Sequence, residues 1–178
     1  MSIINDIKNF FFQKDLQSKV RKLTSTRREM LNIEKAKTIG LVFNASKTEN
    51  VMTITHFADA LKNMNKKVLM LGYQNYKVKD QDDHRLFNLN DVNWYGKPTT
   101  TKIIDFQEEK VDILICAYLD DCPPLEYIAA TSKAKFRVGA FNKNKTSHYE
   151  LMININNRPE LKYMLDQTAH FLKVINKE

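Results

Sequence analysis

Residues 38–71, TIGLVFNASKTENVMTITHFADALKNMNKKVLML, decide the fold. Thr38-Ile39-Gly40-Leu41-Val42-Phe43 is a short, almost unbroken apolar run between polar residues. Such a run fits a strand buried on both faces of a parallel sheet. Asn44 to Asn50 reads as the turn that follows, and Thr48 stands where it can cap the next helix. In that helix Val51, Ile54, Phe57, Ala58 and Leu61 recur at helical spacing and share one face. Val68-Leu69-Met70-Leu71 is a second buried run. Strand, helix and strand within about 35 residues make a βαβ unit, and its crossover is expected to be right-handed.

Outward from this unit the alternation continues. Residues 74–102 are polar and irregular, with a short strand expected at Leu86-Phe87-Asn88-Leu89. A turn at residues 91–98 presents Trp94, the chain's single tryptophan. Residues 103–110 read as a short helix, and Val111 to Tyr118 as the strongest strand. Pro124 suits the first turn of a helix running to about Lys133. Phe136 to Phe141 and Leu151 to Ile155 are further strands. Pro159 opens a last helix with Leu161, Met164, Leu165, Ala169, Leu172 and Ile175 inside. The pattern predicts a Rossmann-like α/β domain over residues 35–178, a three-layer sandwich around a mainly parallel sheet.

Ahead of this domain lies a basic arm, residues 1–34, in which 3–31 read as one long amphipathic helix. Phe12, Leu16, Val20 and Leu23 line one stripe. Ile3, Ile7, Phe10 and Phe11 form another apolar patch, out of phase with the first, which predicts a break or kink near residues 12–14. Residues 1–37 hold nine Lys/Arg against four Asp/Glu, and the remainder 19 against 17, so most of the net charge of +7 sits at this end. A cationic arm on a near-neutral body suggests docking to something anionic. Lys14, Lys19, Arg21, Lys22, Arg27 and Arg28 are the arm's candidate phosphate contacts. Lys133, Lys135, Arg137, Lys143 and Lys145 join them from a stretch, residues 128–148, that holds no Asp or Glu. Each phosphate neutralised releases counterions and favours binding.

Catalytic signatures are missing. With four glycines in the chain, there is no GxGxxG and no GxxxxGK[ST], so the turn after the first strand lacks the residues that let a backbone cradle a diphosphate. No serine sits in a GxSxG elbow. His56, His84, His148 and His170 stand apart from one another, and Cys116 and Cys122 match no zinc spacing. No metal, cofactor or catalytic residue is therefore expected. Two reduced thiols fit a reducing, cytoplasmic setting. No apolar run approaches the length that spans a bilayer, and no secretory leader opens the chain, so no membrane partner is expected.

Three functions compete on these grounds. The first is a non-enzymatic protein that docks on RNA or a ribonucleoprotein, the ribosome included, through the two basic groups. The second is an enzyme or small-ligand binder using the carboxyl ends of the strands, where open α/β sheets take ligands. Asn44, Ser46, Asp120, Asp121 and Asn142 would surround an anionic or nucleotide-sugar-like substrate there. The third is a scaffold that forms a homo-oligomer through the N-terminal helix.

The chain resembles a family of small α/β proteins from the Bacteroidetes group, known as a domain of unknown function. The resemblance rests on residues 14–22 (KDLQSKVRK), 92–97 (VNWYGK), 111–115 (VDILI), 132–139 (SKAKFRVG) and 149–153 (YELMI). It implies the fold and carries no catalytic role. Residues 132–139 also resemble the opening of a nucleotide-sugar glycosyltransferase half-domain, a likeness of fold alone.

Overall fold

Side chains alternate along each central strand between two apolar layers, as the near-continuous hydrophobic runs require. A computed structural model describes residues 3–23, 27–79 and 81–175. Its strands are β1 (Thr38–Asn44), β2 (Lys67–Gln74), β3 (Leu86–Asn88), β4 (Ile113–Ala117), β5 (Phe136–Ala140) and β6 (Leu151–Ile153). Among the described residues they form one all-parallel sheet in the order β3-β2-β1-β4-β5-β6. The helices are α1 (Ile3–Lys22), α2 (Thr48–Asn63), α3 (Thr101–Glu108), α4 (Pro123–Thr131) and α5 (Leu161–Val174).

Ile39, Leu41 and Phe43 of β1 and Ile113 and Ile115 of β4 face α2 and α5, where Ile54, Leu61, Leu165 and Leu172 meet them. Val42, Leu114 and Cys116 face the other way, against Ile103 of α3 and Leu125, Ile128 and Ala129 of α4. The expected three layers are thus α2 with α5, the sheet, and α3 with α4. α1 lies outside them, with Phe12 and Leu16 packed on Tyr127 and Ala130 of α4 and on Tyr95.

The N-terminal segment departs from expectation. α1 ends at Lys22, not near residue 31, and runs unbroken through residues 12–14. Its two apolar stripes are out of phase because they meet different surroundings: Phe12 and Leu16 face α4, whereas Ile3, Ile7 and Phe10 face solvent. Residues 27–36 are non-helical. They form a strap across the body. The Glu29 amide donates to the Lys135 carbonyl at 3.0 Å, and the Ile33 amide to the Leu172 carbonyl at 2.8 Å. Leu31, Ile33 and Ala36 enter the core beside α2 and α5. Burial of these side chains outweighs the helical propensity read from the local pattern. Thr48 is the first residue of α2, and the capping position falls on Lys47, which makes no side-chain cap.

Candidate functional site

β1 hands the chain to α2 on one face of the sheet, and β4 hands it to α4 on the other. The two segments leave in opposite directions, so the carboxyl ends of these adjacent parallel strands part. A crevice of about 920 Å³ opens there, reaching toward β5 and the start of α5. Asn44, Asn50, Thr53, Tyr118, Asp120 and Phe141 are among its lining residues. Its charges nearly balance: Lys47 and Lys162 against Glu49, Asp120 and Glu160.

Local sequence builds this wall. The Asn44 Oδ1 accepts from the Ser46 amide at 2.9 Å, a turn in which the side chain mimics backbone. The Asn50 Nδ2 donates to the Asn44 carbonyl at 3.3 Å and ties the first turn of α2 to the strand end. Tyr118, directly after β4, shares a 2.9 Å hydrogen bond with the hydroxyl of Tyr149. Burial raises the pKa of both phenols, so both stay neutral.

Beside the crevice, a half-buried ion cluster sits on the N-terminal end of α4. The Lys145 Nζ donates to Asp121 at 2.6 Å and to Glu126 at 2.5 Å. Glu126 also accepts from the Cys122 amide at 3.1 Å. Burial opposes the ammonium charge of Lys145, but the two carboxylates outweigh it and its pKa is raised. His148 is held below its ordinary value by burial, and its Nδ1 is buried without a hydrogen-bond partner. Cys116 and Cys122 are free thiols that burial pushes up to about 12, so neither is a nucleophile at neutral pH.

The predicted crevice residues divide. Asn44 and Asp120 line the cavity. Asn142 lies on an adjoining rim with Lys145, its Oδ1 taken by the Asn144 amide at 3.0 Å. Ser46 is engaged elsewhere, its Oγ accepting from the Asn75 amide at 2.8 Å. Asp121 is committed to Lys145. Sequence reasoning missed Glu126 and Tyr149. The partner of each is 19 and 31 residues away, and no local spacing announces either pair.

The predicted phosphate contacts fall into an internally paired group and an exposed group. Arg137 is buried and satisfied internally by Glu150 at 2.7 Å and by the carbonyls of Ala129, Ala130 and Ser147. Arg28 donates to the carbonyls of Ser132 and Ala134 and lies 3.7 Å from Glu150. Lys133 pairs with Glu108 at 2.7 Å, and Lys135 with Asp112 at 2.8 Å. The stretch lacks acids of its own, but folding delivers them from α3, from α4 and from the segments that precede β4, α4 and β6. Lys143, Lys14, Lys19, Arg21, Lys22 and Arg27 remain exposed. Among the described residues no group of three or more His, Cys, Asp or Glu is placed to hold a metal ion.

A family profile matches residues 8–175. The chain belongs to DUF6913, a family of unknown function. No curated protein matches it. Membership in DUF6913 assigns no residue a role. The glycosyltransferase likeness adds none either, since residues 132–139 supply internal contacts through Ser132 and Arg137 and line none of the large crevice.

Proposed function

We propose that the protein is a small-molecule-binding α/β domain whose ligand occupies the crevice between the carboxyl ends of β1 and β4. One observation carries this reading: a cavity of about 920 Å³ coincides with the point where the sheet's connections change face. Open α/β sheets bind ligands there because the diverging loops leave a cleft that the strands end in. The lining favours a neutral, hydroxylated or amide-bearing ligand with one apolar face. Asn44, Asn50 and Thr53 offer hydrogen bonds, and Phe141 and Leu161 offer apolar contact. A diphosphate is disfavoured, because charges in the cleft nearly cancel and the β1–α2 turn has no glycine. A nucleoside or free sugar fits better than a nucleotide sugar. Docking on RNA through both basic groups is less well supported, since four of the five cations in the 133–145 group are already paired.

Thermal-shift titration with nucleosides, free sugars and nucleotide sugars tests the reading. At least one neutral compound is expected to raise the melting temperature saturably. Ligand at about 100 times its Kd adds roughly 2.7 kcal/mol of apparent stability. The Asn50→Ala/Asp120→Ala double variant is expected to weaken that ligand about tenfold or more, at the usual 1–3 kcal/mol per lost buried polar contact. A panel that produces no shift, or a shift that the double variant retains, overturns the proposal.

A further inference from the structure

α1 presents one surface that the fold leaves uncovered. With about 100° between successive residues, Ile3, Ile4, Ile7, Phe10 and Phe11 fall within an arc of about 120°, roughly opposite Phe12 and Leu16. Lys14, Arg21 and Lys22 fall on the same outer arc further along. The stripe away from α4 is therefore apolar over its first turns and cationic over its last. Ile3 is 77% exposed and Phe10 62%. The 91–98 turn extends the patch onto the body: Trp94, 57% exposed, packs edge-on against Phe11 at 5.3 Å. Gly96, at φ 93°, lets this turn close, and the Asn93 Oδ1 holds it by accepting from the Tyr95 and Lys97 amides. Among the described residues no carboxylate pairs with Lys14, Arg21 or Lys22, whereas the one inward acid of α1, Asp15, is bound to Lys97 and Tyr127.

We propose that α1 docks the protein on an anionic lipid surface. Ile3, Ile4, Ile7, Phe10 and Trp94 enter the headgroup boundary, and Lys14, Arg21 and Lys22 meet lipid phosphates. An anionic bilayer offers an apolar phase directly beneath a negative layer, matching both halves of the stripe. RNA offers stacking faces for Phe10 and Trp94 but no apolar medium for three isoleucines. A second copy fits poorly: parallel pairing of two α1 helices sets cations against cations, and antiparallel pairing sets apolar turns against cations. No helix among the described residues is long and apolar enough to cross a membrane. The sequence-based expectation of no membrane partner rested on the lack of a bilayer-length apolar run and of a secretory leader, which bear on spanning and export and leave surface docking open. This inference does not depend on the crevice.

The full chain is mixed with vesicles of equal parts phosphatidylglycerol and phosphatidylcholine, or of phosphatidylcholine alone, and read by flotation and by the emission of Trp94. Flotation with the anionic vesicles and a blue shift are expected. Ile3→Ser/Ile7→Ser/Phe10→Ser and Lys14→Glu/Arg21→Glu/Lys22→Glu are each expected to weaken binding by at least about tenfold, from lost apolar burial and lost phosphate attraction. Both sets avoid Phe12 and Leu16, and their melting temperatures are expected to match the wild type. The Asp120→Ala variant is expected to float normally. Failure to float with anionic vesicles overturns the inference, as does full binding by the serine variant. So do variants that instead abolish a dimer in sedimentation or retention on RNA while vesicle binding is absent.

Discussion

Arg137 points from β5 into the space beneath the end of α4, with its side chain 7% exposed. Every direction around it offers an acceptor: Glu150 twice, and the carbonyls of Ala129, Ala130 and Ser147. Removing one partner of such a buried network leaves the others desolvated and unpaired. Arg137→Leu is expected to cost about 3–5 kcal/mol in urea unfolding. Lys133→Ala, which deletes an exposed pair, is expected to cost about 1 kcal/mol or less. Equal losses in the two variants would refute this division of the basic residues into structural and surface groups. Gly139, also on β5, has a packing reason of its own: a Cβ there would lie 2.6 Å from the Tyr149 ring. Gly139→Ala is expected to destabilise by about 1–3 kcal/mol, because Tyr149 has to move off Tyr118. These roles were not legible in sequence. An arginine in an acid-free stretch looks the same whether its acid lies thirteen residues on or nowhere in the fold.

At the level of elements, α1 is held to α4 by two apolar side chains and one acid. Asp15 accepts from the Lys97 Nζ at 2.8 Å and from the Tyr127 hydroxyl at 2.7 Å. Burial works against its charge, but these hydrogen bonds outweigh burial and hold its pKa below the ordinary value of 3.8. A carboxyl whose folded pKa is depressed adds stability that is complete above the unfolded value and lost as pH falls through the folded one. The docking of α1 is thus expected to weaken as pH drops below 3.8, seen as a change in Trp94 emission because Phe11 packs on that ring. Asp15→Asn is expected to remove that acid step; an unaltered titration would show that Asp15 does not hold the helix. Leu16→Ala is expected to cost about 2–5 kcal/mol of docking. Amides of α1 should then lose protection from hydrogen exchange while those of β1 and β4 keep it. The helix itself was readable from periodicity. Its end at Lys22 was not, because residues beyond it trade local helix for burial of Leu31 and Ile33.

For the whole molecule, the strap of residues 27–36 separates what is attached from what is integral. Leu31 and Ile33, which the sequence reading assigned to the arm, pack with Ala36 in the layer formed by α2 and α5. A chain starting at Arg27 is expected to unfold in one cooperative transition, since α1 contributes only Phe12 and Leu16 to buried packing. A chain starting at Lys37 is expected to lose that transition or to melt far lower. If the two truncations behaved alike, the strap would not be part of the core. The crevice belongs to this scale as well. It is made by strand order, which brings Asn44 beside Tyr118 although 73 residues lie between them.

Sequence alone determined the succession of strands and helices from β1 onward, the parallel sheet and the apolar faces that cover it. These follow from local periodicity and from apolar runs that must be covered on both faces. It also placed two of the crevice residues, Asn44 and Asp120, because strand ends are visible where apolar runs stop. Tertiary structure alone decided the strand order and hence the crevice. It also decided which cations face water and which are neutralised inside, and that the outer stripe of α1 stays bare while Phe12 and Leu16 are covered. Charge pairing and burial depend on neighbours remote in the chain, and a linear pattern carries no record of them.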